Sequence, residues 1–384
     1  FRFMGSAIQN LAVNGFGITP TGTNGGQVVS LNTCSPTNID ANSPYGNIMY
    51  MDESATTTNN CTQELWFVKS AGNLTNGLGY SMMSSSGTTH TLSGTVNNGN
   101  VAVAGRGRSS AGNVNLPGSG SSTRGWHLLS NPYPSPIQLS STNMPAGFDQ
   151  QIQLWDVNNG NWVAVNTSVS TANIGIGQAF QVRVSTQGNT ETFTFTNAMR
   201  TTGAPTFYTQ PLDSLPHVEL NLNLNGKTDR HVVFFTGTAS DSFDAEGDAN
   251  RLQGSHLGTF MYGQANNQQG NVEELSFNAL NESVLTAPGY EVPVFLQTQE
   301  TGTASVEVQG LSSLPLNVQL GLKDSSTQLV QWLSNGQVVN LPVAGPFKGH
   351  RFSLVFKELS SGVQTNGGSD FKMWSNGHRV RYWN

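Results

Sequence analysis

Apolar and polar residues take turns along this chain. In "VELNLNL" (218–224), "ASVEVQG" (304–310), "NVQLGLKD" (317–324) and "RFSLVFKE" (351–358) the apolar side chains recur at every second position. A pleated strand sends successive side chains to opposite faces, so each stretch predicts a strand with one buried and one polar face. Between such stretches stand "NNGN" (97–100), "NNGN" (158–161) and "SNGQ" (334–337), whose Asn and Gly residues supply the positive φ of tight hairpin turns. The expectation is an all-β chain of two antiparallel β-sandwiches in tandem, jelly-roll or Ig-like, with minimal helix. Only "GDANRLQGS" (247–255) carries helix signals, enough for at most two turns before glycine stops them.

"TTGAPTFYTQPLDSLP" (201–216) separates a Gly/Asn/Ser-rich first part from a second with denser Val and Leu alternation. The boundaries this predicts are 1–205 for an N-terminal sandwich, 206–359 for a C-terminal sandwich, and 360–384 for a linker and the start of a further small domain. "GWHLLSNPYPSPI" (125–137) is the stiffest segment. Prolines fix φ and lack a backbone donor, so Pro132, Pro134 and Pro136 belong at a sheet edge or crossing. Trp126, Asn131, Pro132, Tyr133 and Pro134 are read as a structural corner anchored by buried aromatics. The rival reading is a sugar-stacking shelf of Trp126, His127 and Tyr133.

Charged residues make up 10% of the chain, against about 25% in an average soluble domain, and the net charge is −6. Lys and Arg are scattered, which argues against nucleic acid as a partner. No apolar run reaches the ~20 residues of a membrane-spanning helix. Residue 1 is Phe, as expected of a processed or excerpted chain without its signal peptide. Cys34 and Cys61 stand alone, outside any zinc-like spacing, so a disulfide between them and an oxidising compartment are expected.

A longer series of motifs runs in order through the chain: "LWFVKSAGNLTNGLGYSM" (65–82), "LSGTVNNGNV" (92–101), "GWHLLSNPYPSPIQL" (125–139), "IQLWDVNNGNWVAVN" (152–166), "IGIGQAFQVRV" (174–184), then "RHVVFFTGTASDSFDAEGDANRLQG" (230–254) and "GHRFSLVFKE" (349–358). It resembles the C-terminal β-sandwich regions of large Bacteroidota surface proteins exported by the type IX secretion system. In that family such strands precede a C-terminal sorting domain, and "DFKMWSNGHRVRYWN" (370–384) looks like the opening hairpin of one, cut short. The resemblance implies export through the type IX translocon and its shuttle, and a place outside the cell or on its outer surface. It also makes Ser214, in Asp213-Ser214-Leu215, resemble the acceptor used for O-linked glycans in this bacterial group.

No nucleophile elbow, cysteine-protease signature or paired-histidine metal motif occurs, and the histidines are isolated. The reading is therefore non-enzymatic. "DSFDAEGDAN" (241–250) concentrates carboxylates: Asp244, Glu246, Asp248 and Asn250 alternate as calcium ligands do, and calcium is the candidate cofactor. The plainer reading is an exposed acidic turn that caps the short helix. A structural or adhesive surface protein is expected, assembling into a filament, sheath or surface layer by strand-edge pairing or sandwich burial. The alternative is a carbohydrate-binding adhesin module of a larger protein, using Trp155, Trp162 and Trp332 on a surface glycan.

Overall fold

The computed structural model describes residues 2–25, 47–53, 66–82, 91–108, 125–156, 161–203, 215–252, 259–267, 270, 272–359, 374–375 and 380–381. The chain is nearly all β: among the described residues the only helices are single 3-10 turns. In the first half run β1 (Arg2–Met4), β2 (Ile48–Met51), β3 (Trp66–Val68), β4 (Tyr80–Met82), β5 (Val101–Gly107) and β6 (Trp126–Ser130), then β7 (Ile137–Leu139), β8 (Gln151–Asp156), β9 (Asn161–Asn166), β10 (Ala172–Ile174), β11 (Ala179–Arg183) and β12 (Thr190–Phe195). The second half holds β13 (His217–Leu224), β14 (Lys227–Thr236), β15 (Ala249–Asn250), β16 (Phe260–Asn266), β17 (Val272–Asn281) and β18 (Glu291–Thr298), then β19 (Gly302–Gln309), β20 (Val318–Asp324), β21 (Val330–Trp332), β22 (Gln337–Val343) and β23 (Phe347–Glu358). A last pair, β24 (Trp374–Ser375) with β25 (Val380–Arg381), is antiparallel.

In the first half a four-stranded sheet, β6-β11-β8-β9, faces the β7–β10 and β5–β12 pairs across an apolar core. Leu129, Phe180, Val182, Ile152 and Leu154 come from one layer, and Ile137, Leu139, Phe193 and Phe195 from the other. The opposite face of the four-stranded sheet is covered too. Trp126, Leu128, Trp162 and Ala179 pack there against Met51, Phe3 and Trp66 of the β1-β4-β2-β3 sheet. Burial on both sides explains why all five residues of β6 and of β11 are buried, where alternation alone predicts a half-exposed strand.

The second half is one 11-stranded sheet running β21-β20-β23-β18-β16-β17-β14-β13-β19-β22, with β15 on β17. Its two ends are consecutive in the chain, joined by residues 333–336. At about 3.5 Å per residue so short a link holds the end strands close together, so the sheet must fold over into two layers. Strand β16 makes the fold: Phe260–Tyr262 pair with β18 and Gly263–Asn266 with β17. A Cβ on Gly263 would come within 3.0 Å of the buried His231 ring, so glycine lets the strand change layers over that imidazole. The enclosed core takes the alternating residues predicted from sequence, among them Val218, Leu220, Leu222, Val306, Val308, Leu320 and Leu354.

Several expectations change. Hairpin β13–β14 turns on Asn225 and Gly226, both with positive φ (54° and 81°), the two-residue hairpin the Asn-Gly rule describes. "NNGN" at 97–100 also carries positive φ, at Gly99, but it joins no strand pair, and "SNGQ" at 334–337 links the two layers instead of two paired strands. Among the described strands one pair, β14 with β17, is parallel; the long intervening stretch through β15 and β16 gives the chain room to return on the same heading. The short helix expected at 247–255 does not form over 247–252, where Ala249–Asn250 form β15 instead. Pairing with β17 and burial against the first half outweigh the local propensity.

Candidate functional site

The proline-rich segment carries the chain from β6 in the four-stranded sheet to β7 in the facing layer. Asn131 is fully buried: its Nδ2 donates to the carbonyls of Ser135 (2.8 Å), Gly175 (3.1 Å) and Ile174 (3.2 Å), while its Oδ1 accepts from Tyr133 N (2.9 Å). Pro132 O accepts from Asn97 Nδ2, and the Tyr133 hydroxyl donates to Gly99 O at 2.7 Å. Pro134 lies in the same turn. Trp126, His127 and Tyr133 are all buried, so they form no shelf for a sugar. Burial pulls the His127 imidazole down to about 4, and its Nε2 sits 2.7 Å from Gly107 O.

Trp155 and Trp162 stand opposite each other on β8 and β9, with ring centroids 5.2 Å apart in an edge-to-face contact. Phe3 completes the cluster at 5.1 and 4.8 Å from them. These rings are inter-sheet core. Cys34, Cys61 and Ser214 lie outside the described residues.

The acidic stretch is a turn with Asp241, Ser242 and Glu246 exposed, running into a buried end at 248–250, and it is no convergent ligand set. Asp248 and Asn250 are buried where the two halves of the chain meet. Asp248 spends one carboxylate oxygen on Asp244 N (2.8 Å) and the other on Ala279 N (2.7 Å); burial pushes its carboxyl up to about 7. Asp244 accepts from Glu246 N, and the Glu246 side chain is exposed. Asn250 Oδ1 accepts from Arg183 Nη1 (2.6 Å) and Gln151 Nε2 (3.0 Å), its Nδ2 donates to Glu273, and its carbonyl takes Gln153 Nε2 at 2.6 Å. Among the described residues no group of three or more His, Cys, Asp and Glu is placed to hold a metal ion. Further bonds, Gln150 N to Ala245 O and Asn166 Nδ2 to Gly247 O, and apolar packing of Ala164 against Phe234, Ala249 and Phe277 complete the joint.

Trp332 is different. It lies on β21, a three-residue strand at one end of the folded sheet, and all of Val330, Gln331 and Trp332 are exposed. Rows across the outer face run Trp332–Gly321–Val355–Glu291 and Val330–Lys323–Ser353–Pro293. Gly321 is what seats the indole. A Cβ there would stand 2.7 Å from Val330 Cγ1 and 3.0 Å from both Trp332 Cε3 and Val355 Cγ2. Lys357 Nζ lies 5.8 Å from the centre of the Trp332 ring, and Lys323 is engaged by Glu291 at 2.6 Å. His350 and Ser353, 3.1 Å apart, form a polar margin. Leu329, just before the strand, is 73% exposed. The sequence offered Trp332 as a candidate glycan-binding aromatic, but Gly321 and Lys357, 11 and 25 positions away, carried no signal of their part in this surface.

Comparison with known protein families, curated proteins and solved structures finds no match to this chain. Fold and surface together define its class: a two-part, all-β sandwich protein with an apolar edge strand open to solvent.

Proposed function

We propose that this chain is a non-enzymatic structural or adhesive protein of the outer cell surface, exported by a type IX route, that builds an assembly of identical subunits. The observation that supports this reading is the β21 edge. Sandwiches guard open edges with charge, proline, a bulge or a short strand; Val330-Gln331-Trp332 is short, but it has no charge, proline or bulge and exposes two apolar side chains. The buried joint supports the same reading, because it braces the two halves against each other as a single brick. Low charge fits close subunit contact, since few ion pairs need to be desolvated.

The test is light scattering with negative-stain electron microscopy on native extracellular material across a dilution series. Regular filaments or sheets that survive dilution are expected. Particles that stay single at every concentration would remove self-assembly as the function.

A second reading, a glycan-binding adhesin module, draws on the exposed Trp332 ring beside Lys357, since an aromatic face stacks on the apolar face of a sugar. Retention on a polysaccharide column, lost in Trp332→Ala without loss of fold, would select it.

A further inference from the structure

We infer that β21 is the seam between two copies of this chain, joined antiparallel about a two-fold axis through Gln331; the inference rests on the self-association proposed above. Leu333 N donates to Leu320 O, and Asp324 N donates to Leu329 O. In an antiparallel ladder, inward-bonding and outward-facing residues alternate. Gln331 therefore turns its main-chain groups toward β20, and Val330 and Trp332 turn theirs away from it, to the open side of the edge.

That arrangement is self-complementary. With Gln331 on the axis, Val330 of one copy stands opposite Trp332 of the other, and each pair exchanges N–H to carbonyl bonds in both directions. Their side chains share the outer face, so each row across the seam reads Lys323, Val330, Trp332, Gly321, with the last two from the second copy. Aromatic and β-branched residues directly opposite are a favourable cross-strand pair. The strand itself carries no charge, and Lys323 is held back toward Glu291. Neither copy brings like charges to the axis. The other end of the sheet, β22, is unlike it: Pro342 sits in that edge, exposed, with no N–H to offer. One end of the sheet is guarded and the other open, so this two-fold seam closes a dimer, which is the repeating unit that further contacts join into the larger assembly.

The test is a cysteine at the axis. Residues facing each other in a non-hydrogen-bonded antiparallel pair have Cα atoms about 4.5 Å apart, within the reach of a disulfide. Gln331→Cys should give a cross-linked dimer under mild oxidation, above the background of the wild-type chain with Cys34 and Cys61, while Asn340→Cys on β22 should not. Val330→Lys should raise the dissociation constant of self-association at least tenfold, and Val338→Lys on β22 should leave it unchanged. If the wild-type chain assembles but Gln331→Cys does not cross-link and Val330→Lys has no effect, the seam lies elsewhere and this inference fails while self-assembly stands. A wild-type chain that is monomeric throughout overturns both.

Discussion

Arg183 has no exposed surface, and its guanidinium lies 2.6 Å from Asn250 Oδ1, 3.7 Å from Glu273 and 3.8 Å from Asp149. An arginine so placed must be met by charge and hydrogen bonds at once, because desolvating it is costly and only good partners offset that cost. Burial pushes the Asp149 carboxyl up, and Arg183 beside it pulls the other way. Arg183→Ala leaves Asp149 and Glu273 buried without their shared cation and should cost about 3–5 kcal/mol in urea unfolding; a loss below about 1 kcal/mol would mean the joint adds little to stability. None of this was legible beforehand. Arg183 appeared as one polar residue in a strand, and its partners come from 34 positions before it to 90 after it.

At the level of the element, β21 depends on a residue it does not contain. Any side chain at 321 collides with Val330, Trp332 and Val355. Gly321→Val should therefore lift β21 from the sheet, at a cost of about 1–3 kcal/mol as for other overpacked sites, and shift tryptophan emission to the red as Trp332 gains water. Unchanged emission with unchanged stability would show that the indole does not rest on Gly321. The strands were the most legible part of the chain: β13, β19, β20 and β23 fall on the four stretches of alternation. Period two reports that one face is buried, whichever element buries it. Helix signals failed over 247–252 for the complementary reason. Local propensity is worth tenths of a kcal/mol per residue, and pairing with β17 beside the joint is worth more.

Across the whole molecule, buried titratable groups oppose one another. Burial pulls the imidazoles of His127 and His231 down to about 4, so the unfolded chain takes up protons below its ordinary value of 6.5 while the folded chain does not. Their contribution is complete above pH 6.5 and is lost as pH falls toward 4, about 3 kcal/mol each by linkage. Asp248, pushed up to about 7 from 3.8, acts in the other sense: its contribution is complete below 3.8 and is lost as pH rises through 7. In His231→Gln the acid-side loss at that site disappears. Between pH 7 and pH 5 the variant should gain about 2 kcal/mol relative to wild type in urea unfolding. Parallel pH profiles for the two proteins would show that His231 titrates normally in the folded chain.

What the sequence determined by itself was periodic and local: an all-β chain, strands β13, β19, β20 and β23, and the positive φ of Gly99 and Gly336, since alternation and turn chemistry are written within a few consecutive residues. Tertiary structure decided the rest. It folded one long sheet over at Gly263, turned an acidic stretch into the joint between two sandwiches, and sent Trp155 and Trp162 inward while leaving Trp332 on an open edge. The reason is that a strand's pattern says that one face is covered, whereas which element covers it depends on residues far away in the chain.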